Sequence, residues 1–317
     1  SPPLKITIKK GSKNMTLTQL KYAIEVANAG SINKAAGNLF ITQPSLSSAI
    51  AELEAEIGIK LFSRNNRGIF LTPAGSEFVG YARQVVEQFN LIEAKYISNQ
   101  NLKKKFSVSM QHYTFAVSAF VNLVKQFGMD EYEFAVNETK TYDVINDVKT
   151  FKSEIGILYL NDFNKNILTK LFKDSNLLFT PLMECSIYVY LYEDHPLASH
   201  DKIKMEELMD YPCLSFEQGE YNSFYFAEEV LSTYEYHRLI KANDRATLLN
   251  LMVGLNGYTL CSGIICEELN GEKYKAIKLD SNEKMTIGYI IRKDISISEL
   301  GKKYLEEVAK FKDKTLE

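Results

Sequence analysis

A group of short hydrogen-bonding side chains occurs early in the chain, at Gln43, Ser45, Ser47 and Ser48. Thr42 and Pro44 lie among them, and these residue types favour the N-cap and the first turn of a helix. An apolar stripe recurs at helical spacing through the same segment, at Leu46, Ile50, Leu53 and Ile57. The polar side chains therefore face away from the stripe, where they could meet base edges and phosphates in a DNA major groove.

Two shorter helices are predicted before this segment. Thr16 and Gln19 have the spacing of a capping box, and Ser31 can cap a helix whose inner face carries Ala35 and Ala36. A lone polar helix face is usually only solvated, but a third helix in a tight three-helix unit is typical of a DNA reader. The candidate DNA-contacting residues of this unit are Ser31, Asn33, Lys34, Thr42, Gln43, Pro44, Ser45, Ser47 and Ser48.

A β-hairpin is predicted after the third helix. Gly58 ends that helix, and two apolar segments, 61–62 and 69–71, enclose the polar tip 64–68. Arg64 and Arg67 both lie on this tip, although the whole chain has only six arginines. Arginines on a hairpin suit phosphate or minor-groove contact, so the sequence predicts a winged helix-turn-helix over residues 15–72.

A long helix is predicted next, because Thr72 and Pro73 form another N-terminal signal. Its apolar residues recur at steps of three or four, at Ala74, Phe78, Ala82, Val85, Phe89, Ile92 and Tyr96. This seam could pack against a partner helix in a dimer or against its own domain. Residues 73–105 are therefore interpreted as a linker and dimerisation helix with a polar hinge at its end.

Composition and charge place these elements in a two-part protein. Apolar residues make up 45% of the chain, which is ordinary for globular proteins. Residues 15–105 hold ten Lys and Arg against seven Asp and Glu, whereas residues 106–317 hold 23 against 33. This distribution indicates that only the basic front approaches phosphates. No signal peptide or membrane span is apparent, residues 1–14 are interpreted as a non-native or unstructured arm, and the four cysteines suggest a reduced, cytoplasmic protein.

Residues 15–80 resemble the N-terminus of the LysR-type transcriptional regulators. The motifs that carry the resemblance are A-A-x-x-L, T-Q-P-S-L-S, L-E-x-E-x-G-x-x-L-F-x-R and L-T-P-A-G, in that order. Many members carry Arg where this chain has Ser48, so a different base preference is expected. The resemblance implies sequence-specific binding to double-stranded promoter or operator DNA, homodimers or homotetramers, and contact with RNA polymerase.

The remaining residues, 106–317, alternate strand and helix patterns, which predicts a parallel sheet. A helix is predicted near Tyr225–Tyr234. The family resemblance extends here and implies an α+β multidomain protein whose C-terminal part is a two-lobed, periplasmic-binding-protein-like α/β effector domain. Lobe one is expected at about 106–180 and 275–317, and lobe two at about 181–274.

Polar residues follow the predicted strands or precede a helix at places where such sheets bind ligands. These candidate effector-binding residues are Gln111, His112, Tyr113, Thr139, Thr141, Arg245 and Thr247. Their hydroxyls, amide, imidazole and guanidinium would suit a small carboxylate or zwitterion. Three strings, at 109–113, 153–161 and 244–248, resemble the CmbR-like subgroup of Gram-positive sulfur amino-acid regulators, which implies an amino-acid or sulfur metabolite such as O-acetylserine.

Three functions are alternatives to a ligand-controlled regulator: an enzyme, a solute-binding receptor and a DNA-binding architectural protein. An enzyme is disfavoured, because no catalytic motif is present and His112 has no nucleophile or paired acid at readable spacing. No catalytic residue, metal site or cofactor is expected. A solute-binding receptor would fit the second part alone, but not the DNA-reading front. A DNA-binding architectural protein without a ligand is the remaining alternative.

Overall fold

A computed structural model describes residues 15–65, 68–93, 103–127, 131–221 and 223–312 of the 317-residue chain. The chain forms two compact units, residues 1–102 and residues 103–317. The first unit contains the predicted three helices, hairpin and long helix. The second unit is a mixed α/β structure built on a five-stranded sheet, a four-stranded sheet and a pair of parallel strands.

The elements of the first unit are α1 (Leu17–Ala29), α2 (Ile32–Asn38), α3 (Gln43–Ile57), β1 (Phe62–Asn65), β2 (Gly68–Leu71) and α4 (Pro73–Glu93). The predicted capping box is confirmed, since Thr16 and Gln19 bond reciprocally at the start of α1. Thr42 caps α3, and α3 ends at Gly58, which adopts the left-handed conformation that glycine tolerates. The N-caps and the C-terminal glycine predicted from the sequence therefore lie at the observed ends of these helices.

The three helices share one small core. Its buried members include Ala23, Ala35, Leu46 and Leu53, and the alanines allow close helix approach. The hairpin joins this core through Leu61, which is fully buried. The Ile69 amide donates to the Gly30 carbonyl at 3.1 Å and so ties the hairpin to the end of α1.

Helix α4 begins beside the hairpin in a contact that only glycine permits. A Cβ at Gly75 would lie 2.0 Å from the Leu61 carbonyl oxygen. Thr72 caps the helix by accepting from the Gly75 amide at 2.9 Å, and its hydroxyl donates to the Lys60 carbonyl. The L-T-P-A-G motif therefore combines a cap with a close approach of two backbones.

The predicted seam on α4 divides into two parts. Ala82 is buried and Phe78 is partly buried against the core of its own unit. Val85, Phe89 and Ile92 are exposed by 51%, 37% and 56%. Tyr96 lies outside the described residues. The first part of the seam thus packs on its own unit, and the second part presents apolar side chains to solvent.

The second unit continues with β3 (Lys104–Met110), α5 (Thr114–Lys125), β4 (Tyr132–Glu138), α6 (Thr141–Lys149), β5 (Ile155–Leu160), α7 (Lys165–Asp174), β6 (Leu177–Ser186), β7 (Tyr188–Tyr192), β8 (Lys202–Ile203), β9 (Cys213–Phe216), β10 (Leu239–Ala242), α8 (Arg245–Leu255), β11 (Thr259–Cys261), α9 (Glu267–Asn270), β12 (Tyr274–Leu279), β13 (Lys284–Arg292) and α10 (Glu299–Ala309).

Lobe one contains a five-stranded sheet in the order β4-β3-β5-β13-β6. Strand β3 pairs in parallel with both β4 and β5, as the alternating pattern predicted. Strand β13 lies between β5 and β6 and runs antiparallel to both, because the chain returns to this lobe from the other one. The sheet is therefore mixed, and the carboxyl ends of β3 and β4 lie at the same edge.

Lobe two contains a four-stranded sheet in the order β11-β7-β12-β8 and a parallel pair, β10-β9. The lobe boundaries expected at 180/181 and 274/275 need correction. Strand β6 pairs with β13 as far as Ser186, so the first crossing lies near Ile187. Strand β12 pairs with β7 over most of its length, so residues 274–279 belong to lobe two. The crossings occur where strands change sheets, which residue composition does not mark.

The segment after β9 also differs from the prediction. No α-helix occurs at 225–234; a 3-10 turn at Phe224–Phe226 is followed by bends. Phe226 packs against the apolar cluster of lobe one. The Tyr159 hydroxyl donates to the carbonyls of Ala227 and Glu229 at 3.1 and 3.2 Å. This segment thus bridges the two lobes, and two of its backbone carbonyls accept hydrogen bonds from lobe one instead of bonding within a helix.

Candidate functional site

The N-terminal turns of α3 present a polar surface. Thr42, Gln43, Pro44, Ser45 and Ser48 are exposed there. Their hydrogen bonds are local ones: Gln43 Nε2 donates to Ser47 Oγ at 2.7 Å, and Ser48 Oγ donates to Glu52 at 3.3 Å. Such bonds can exchange for bonds to base edges without unfolding the helix.

The N-terminal end of α2 carries further polar residues predicted to contact DNA. Ser31 accepts from the Lys34 amide at 3.4 Å and is thus the N-cap of α2, while Asn33 and Lys34 are exposed. Of the predicted wing arginines, Arg67 and the side chain of Arg64 lie outside the described part of the chain. The backbone register of β1 and β2 places Arg64 opposite Ile69 near the hairpin tip.

Phe40 is a residue that the sequence analysis missed. It lies in the turn between α2 and α3, its side chain is 96% exposed, and its φ is +55°. A non-glycine residue in this conformation costs about 1–3 kcal/mol, and such strain often accompanies function. An exposed aromatic ring beside the polar start of α3 could pack against a nucleic-acid backbone.

Glu54 is the first glutamate of the L-E-x-E-x-G-x-x-L-F-x-R motif, and its side chain joins α3 to the hairpin. Its carboxylate is 8% exposed and accepts from the amides of Leu61 and Phe62 at 2.8 and 3.2 Å. Lys60 Nζ donates to the same carboxylate at 2.6 Å. Burial raises the pKa of Glu54, but the hydrogen bonds from Lys60 and the two amides outweigh it, so the net pKa is below 4.5. Glu54 therefore fixes the hairpin to α3.

In the second unit, three predicted residues meet in one hydrogen-bond network at the edge of the lobe-one sheet. Gln111 Nε2 donates to Thr141 Oγ1 at 2.6 Å, and the Thr141 amide donates to Gln218 at 3.0 Å. Gln218 Nε2 donates to Glu228 at 2.9 Å. His112 contacts the same carboxylate through its amide and through Nδ1, at 2.9 and 2.8 Å. This network joins β3 and α6 to the segment after β9.

Arg245 joins the lobes at a second place. It lies in the first turn of α8 in lobe two, after the N-cap Asp244. Its guanidinium donates to Thr114 and Glu138, which both belong to lobe one. Asn270 Nδ2 also donates to Thr114, at 3.1 Å. An arginine between two lobes is a contact that can differ between open and closed arrangements.

A cavity of about 100 Å³ lies between these contacts. Of the predicted effector-binding residues, His112, Tyr113 and Arg245 line it. The Tyr113 hydroxyl donates to Gln111 at 3.0 Å, and the His112 ring stacks on Phe216 with ring centres 3.7 Å apart. Gln111 and Thr141 lie in the adjoining network rather than in the cavity wall.

Thr139 and Thr247 do not join the cavity. Thr139 Oγ1 donates to Asp143 at 3.4 Å, and Thr247 is exposed and bonded to Asp244. Both are local bonds near helix starts. Their predicted role came from their position after a strand or before a helix, which does not determine where a side chain points.

The sequence analysis missed several residues that line the cavity. They are Thr114, Tyr190, Phe216, Glu228, Glu229 and Asn270. Burial and the neighbouring Glu228 raise the pKa of Glu229 to about 8. The only sequence signal was the acidic pair Glu228-Glu229 itself, which lies in the segment predicted as a helix.

Among the residues that the structure describes, no three His, Cys, Asp or Glu side chains are grouped so that they could hold a metal ion. None of the helices described is both long and apolar enough to cross a membrane.

The sequence matches two known family models. Residues 17–76 match the "Bacterial regulatory helix-turn-helix protein, lysR family", and residues 113–310 match the "LysR substrate binding domain". The Bacillus subtilis HTH-type transcriptional regulator YvbU is 25% identical over 84% of this chain and 91% of its own length. The Escherichia coli DNA-binding transcriptional dual regulator OxyR is 24% identical over 78% of each chain.

Solved structures show the same fold. A full-length single-residue variant of OxyR from Pseudomonas aeruginosa has a TM-score of 0.60 with 20% identity, covering 94% of both chains. Full-length CbnR in complex with its target DNA has a TM-score of 0.53 with 18% identity, covering 94% of this chain and all of CbnR. The α+β multidomain fold predicted from the sequence is therefore confirmed. By the two family matches and the motifs that first suggested it, this chain belongs to the LysR-type transcriptional regulators, which bind DNA and carry an effector-binding domain.

Proposed function

We propose that this regulator reads duplex DNA with the N-terminal face of α3, supported by the hairpin, and that a small molecule in the interlobe cavity controls it. The observation that carries the proposal is Arg245, which lines the cavity and bonds lobe one from lobe two. A ligand that changes this contact would favour one arrangement of the lobes. It can regulate DNA binding only if it binds the two arrangements with different affinity.

The DNA surface can be tested by fluorescence anisotropy with the full chain. Ser47→Ala should relax sequence choice by about 1–3 kcal/mol for a lost base contact. Arg67→Ala should weaken binding evenly across sequences and reduce the dependence on salt. Glu56→Ala, exposed at the other end of α3, is the control. If Arg67→Ala changes neither affinity nor salt dependence, the hairpin does not contact the DNA backbone.

The exposed part of α4 supports a homodimer. Val85, Phe89 and Ile92 recur at helical spacing and lie exposed beyond the core of the first unit. Two copies of α4 could bury these side chains against each other and place two α3 helices on a dyad operator. Higher assembly to a tetramer and contact with RNA polymerase follow from the family resemblance. Mass measurement in solution at defined concentrations tests the dimer.

The effector's identity stays a prediction. The resemblance to the CmbR-like subgroup suggests an amino-acid or sulfur metabolite, and the polar residues at the cleft suggested a carboxylate. Titration of such metabolites, O-acetylserine first, into the full chain tests this. If no small molecule alters DNA binding, the chain is a DNA-binding protein without a ligand.

Peroxide sensing through a thiolate of Cys185, Cys213 or Cys261 is not favoured, although several relatives are named hydrogen peroxide-inducible genes activators. The thiolate is the reactive form of cysteine. Burial raises the pKa of Cys185, Cys213 and Cys261 to about 12 each. These three thiols are therefore protonated at neutral pH and are poor nucleophiles.

A further inference from the structure

The charges around the interlobe cavity restrict the class of ligand it can hold. This inference rests on the proposal that the cavity is the effector site, and it concerns the effector's charge. Among the described residues that line the cavity, the side chains able to carry a positive charge are His112 and Arg245. A carboxylate ligand would need at least one of them as a partner.

Both of these side chains already have an acidic partner inside the protein. The Arg245 guanidinium is paired with Glu138, and both side chains are about three-quarters buried. His112 Nδ1 lies 2.8 Å from Glu228, with both side chains more than nine-tenths buried. A carboxylate that displaced either contact would deprive Glu138 of its cationic partner, or Glu228 of its bond to the His112 ring, and would place a second negative charge beside that carboxylate, which is costly.

A further acidic residue lies in the cavity wall. Glu229 is 8% exposed, and its carboxyl group accepts from the Phe216 amide at 3.0 Å. Burial and Glu228 raise its pKa to about 8, so the protein itself disfavours a second negative charge at this place. An anionic ligand would meet the same penalty, because it too would lie next to Glu228 in a poorly solvated environment.

The rest of the wall suits an apolar body with one polar group. Leu248, Leu260 and Ile264 are buried apolar side chains in the wall. Uncharged hydrogen-bonding groups face the cavity from Thr114 and Asn270. The volume of about 100 Å³ is smaller than the roughly 150 Å³ of an engineered cavity that holds benzene. The cavity therefore accepts a ligand of a few non-hydrogen atoms unless the lobes open.

We propose that the interlobe cavity binds small, largely apolar, uncharged compounds that carry an amide or a hydroxyl, and that it rejects carboxylates. The apolar walls hold the body of such a ligand. Its polar group accepts from the Thr114 hydroxyl or donates to the Asn270 side-chain oxygen, groups that the bonds among Arg245, Thr114 and Asn270 do not use. The Arg245–Glu138 and His112–Glu228 contacts stay intact when this ligand binds. This assignment differs from the carboxylate expected from residue types alone, because residue types do not show that Arg245 and His112 are already paired.

Three small probes with the same branched apolar body test the ligand class: isobutyramide, isobutanol and isobutyrate. Calorimetric titration into the full chain should show saturable binding of the amide or the alcohol. Isobutyrate should bind at least about tenfold more weakly, since that ratio corresponds to only ~1.4 kcal/mol. Glu138→Gln releases Arg245 from its partner and should strengthen isobutyrate binding by about tenfold or more, with little effect on the amide.

Variants of the cavity wall establish where the probes bind. Leu249→Trp fills the cavity from α8, and Cys261→Phe fills it from β11, so both should abolish binding. Asn250→Trp adds the same ring to an exposed position of α8 and should leave binding unchanged. Circular dichroism and DNA binding of each variant show whether it is folded.

The possible results separate the ligand class from the proposed function. If isobutyrate binds the wild type more tightly than the other probes, and Leu249→Trp abolishes that binding, the ligand class is wrong while the cavity stays the effector site. If a probe binds both wall variants as tightly as it binds the wild type, the cavity is not the effector site and the proposed placement fails. If none of the three probes binds the wild type up to its solubility limit, the assignment of the cavity to small apolar ligands is also overturned.

Discussion

Removing the Glu54 carboxylate should loosen the hairpin while leaving the rest of the fold intact. In Glu54→Ala, the Leu61 amide loses its acceptor in a fully buried place, which costs about 1–3 kcal/mol. The Phe62 amide also loses its acceptor but is only partly buried. The Lys60 ion pair adds roughly 0–1 kcal/mol, because the lysine is exposed. The total is about 1–4 kcal/mol for the attachment of the hairpin.

Hydrogen exchange of peptides covering residues 61–71 measures this loss directly. At ~1.4 kcal/mol per tenfold, protection should fall by about fivefold to several hundred-fold. Glu56→Ala is the matched control, since Glu56 lies on the same helix but is exposed and accepts from the Met15 amide rather than from the hairpin. Its effect should stay within about 0.5 kcal/mol. Unchanged protection in Glu54→Ala, or equal loss in the control, would refute the role of Glu54.

The same carboxylate predicts a pH dependence with a definite sign. Folding lowers the pKa of Glu54 below 4.5, so its charged form stabilises the folded unit at pH values above that range. This stabilisation is lost as the pH falls through the folded-state pKa. Protection of the hairpin should therefore decrease in acid in the wild type, and this component should be absent from Glu54→Ala.

Three further changes test other parts of the fold and the DNA surface. Gly75→Ala should destabilise the first unit by about 3 kcal/mol or more, because the new Cβ would overlap the Leu61 carbonyl, whereas Gly37→Ala in open space should be neutral or stabilising in urea unfolding. Phe40→Asn should preserve or raise thermal stability by relieving the positive φ, yet weaken DNA binding in anisotropy; unchanged affinity would exclude a contact by the ring. Ile92→Asp should shift the mass in light scattering towards the monomer, and an unchanged mass would place the dimer interface elsewhere.

The first unit could be predicted closely because its determinants are local. Caps such as Thr16 and Thr42, the helical apolar spacing and the glycine at 58 all act within a few residues. The role of Glu54 could not be predicted, because it depends on amides seven and eight residues further on. The strained backbone of Phe40 could not be predicted either, because its positive φ depends on how α2 and α3 pack.

The cavity was predicted only in part because it is formed from distant segments. Gln111, His112 and Thr141 were expected to lie together, and strand order does bring them into one network. Their acidic partner Glu228 is more than 100 residues away from His112 and lies in a segment interpreted as a helix. Arg245 was expected at the cleft and does line the cavity, yet its pairing with Glu138 reverses the inference about ligand charge. Residue types predict which charged and hydrogen-bonding groups a site contains, whereas the fold determines which of them are already paired within the protein.

The most direct test of the account is the selection of bound sequences from random duplex DNA by the full chain, at a stated physiological salt concentration. The account predicts enrichment of one dyad-symmetric sequence that binds more tightly than random DNA. It further predicts that Gln43→Ala lowers this discrimination by about 1–3 kcal/mol for each lost base contact, while Glu56→Ala does not. Equal affinity for selected and random DNA, or a Gln43→Ala variant with unchanged sequence choice, would contradict the assignment of α3 as the element that reads DNA.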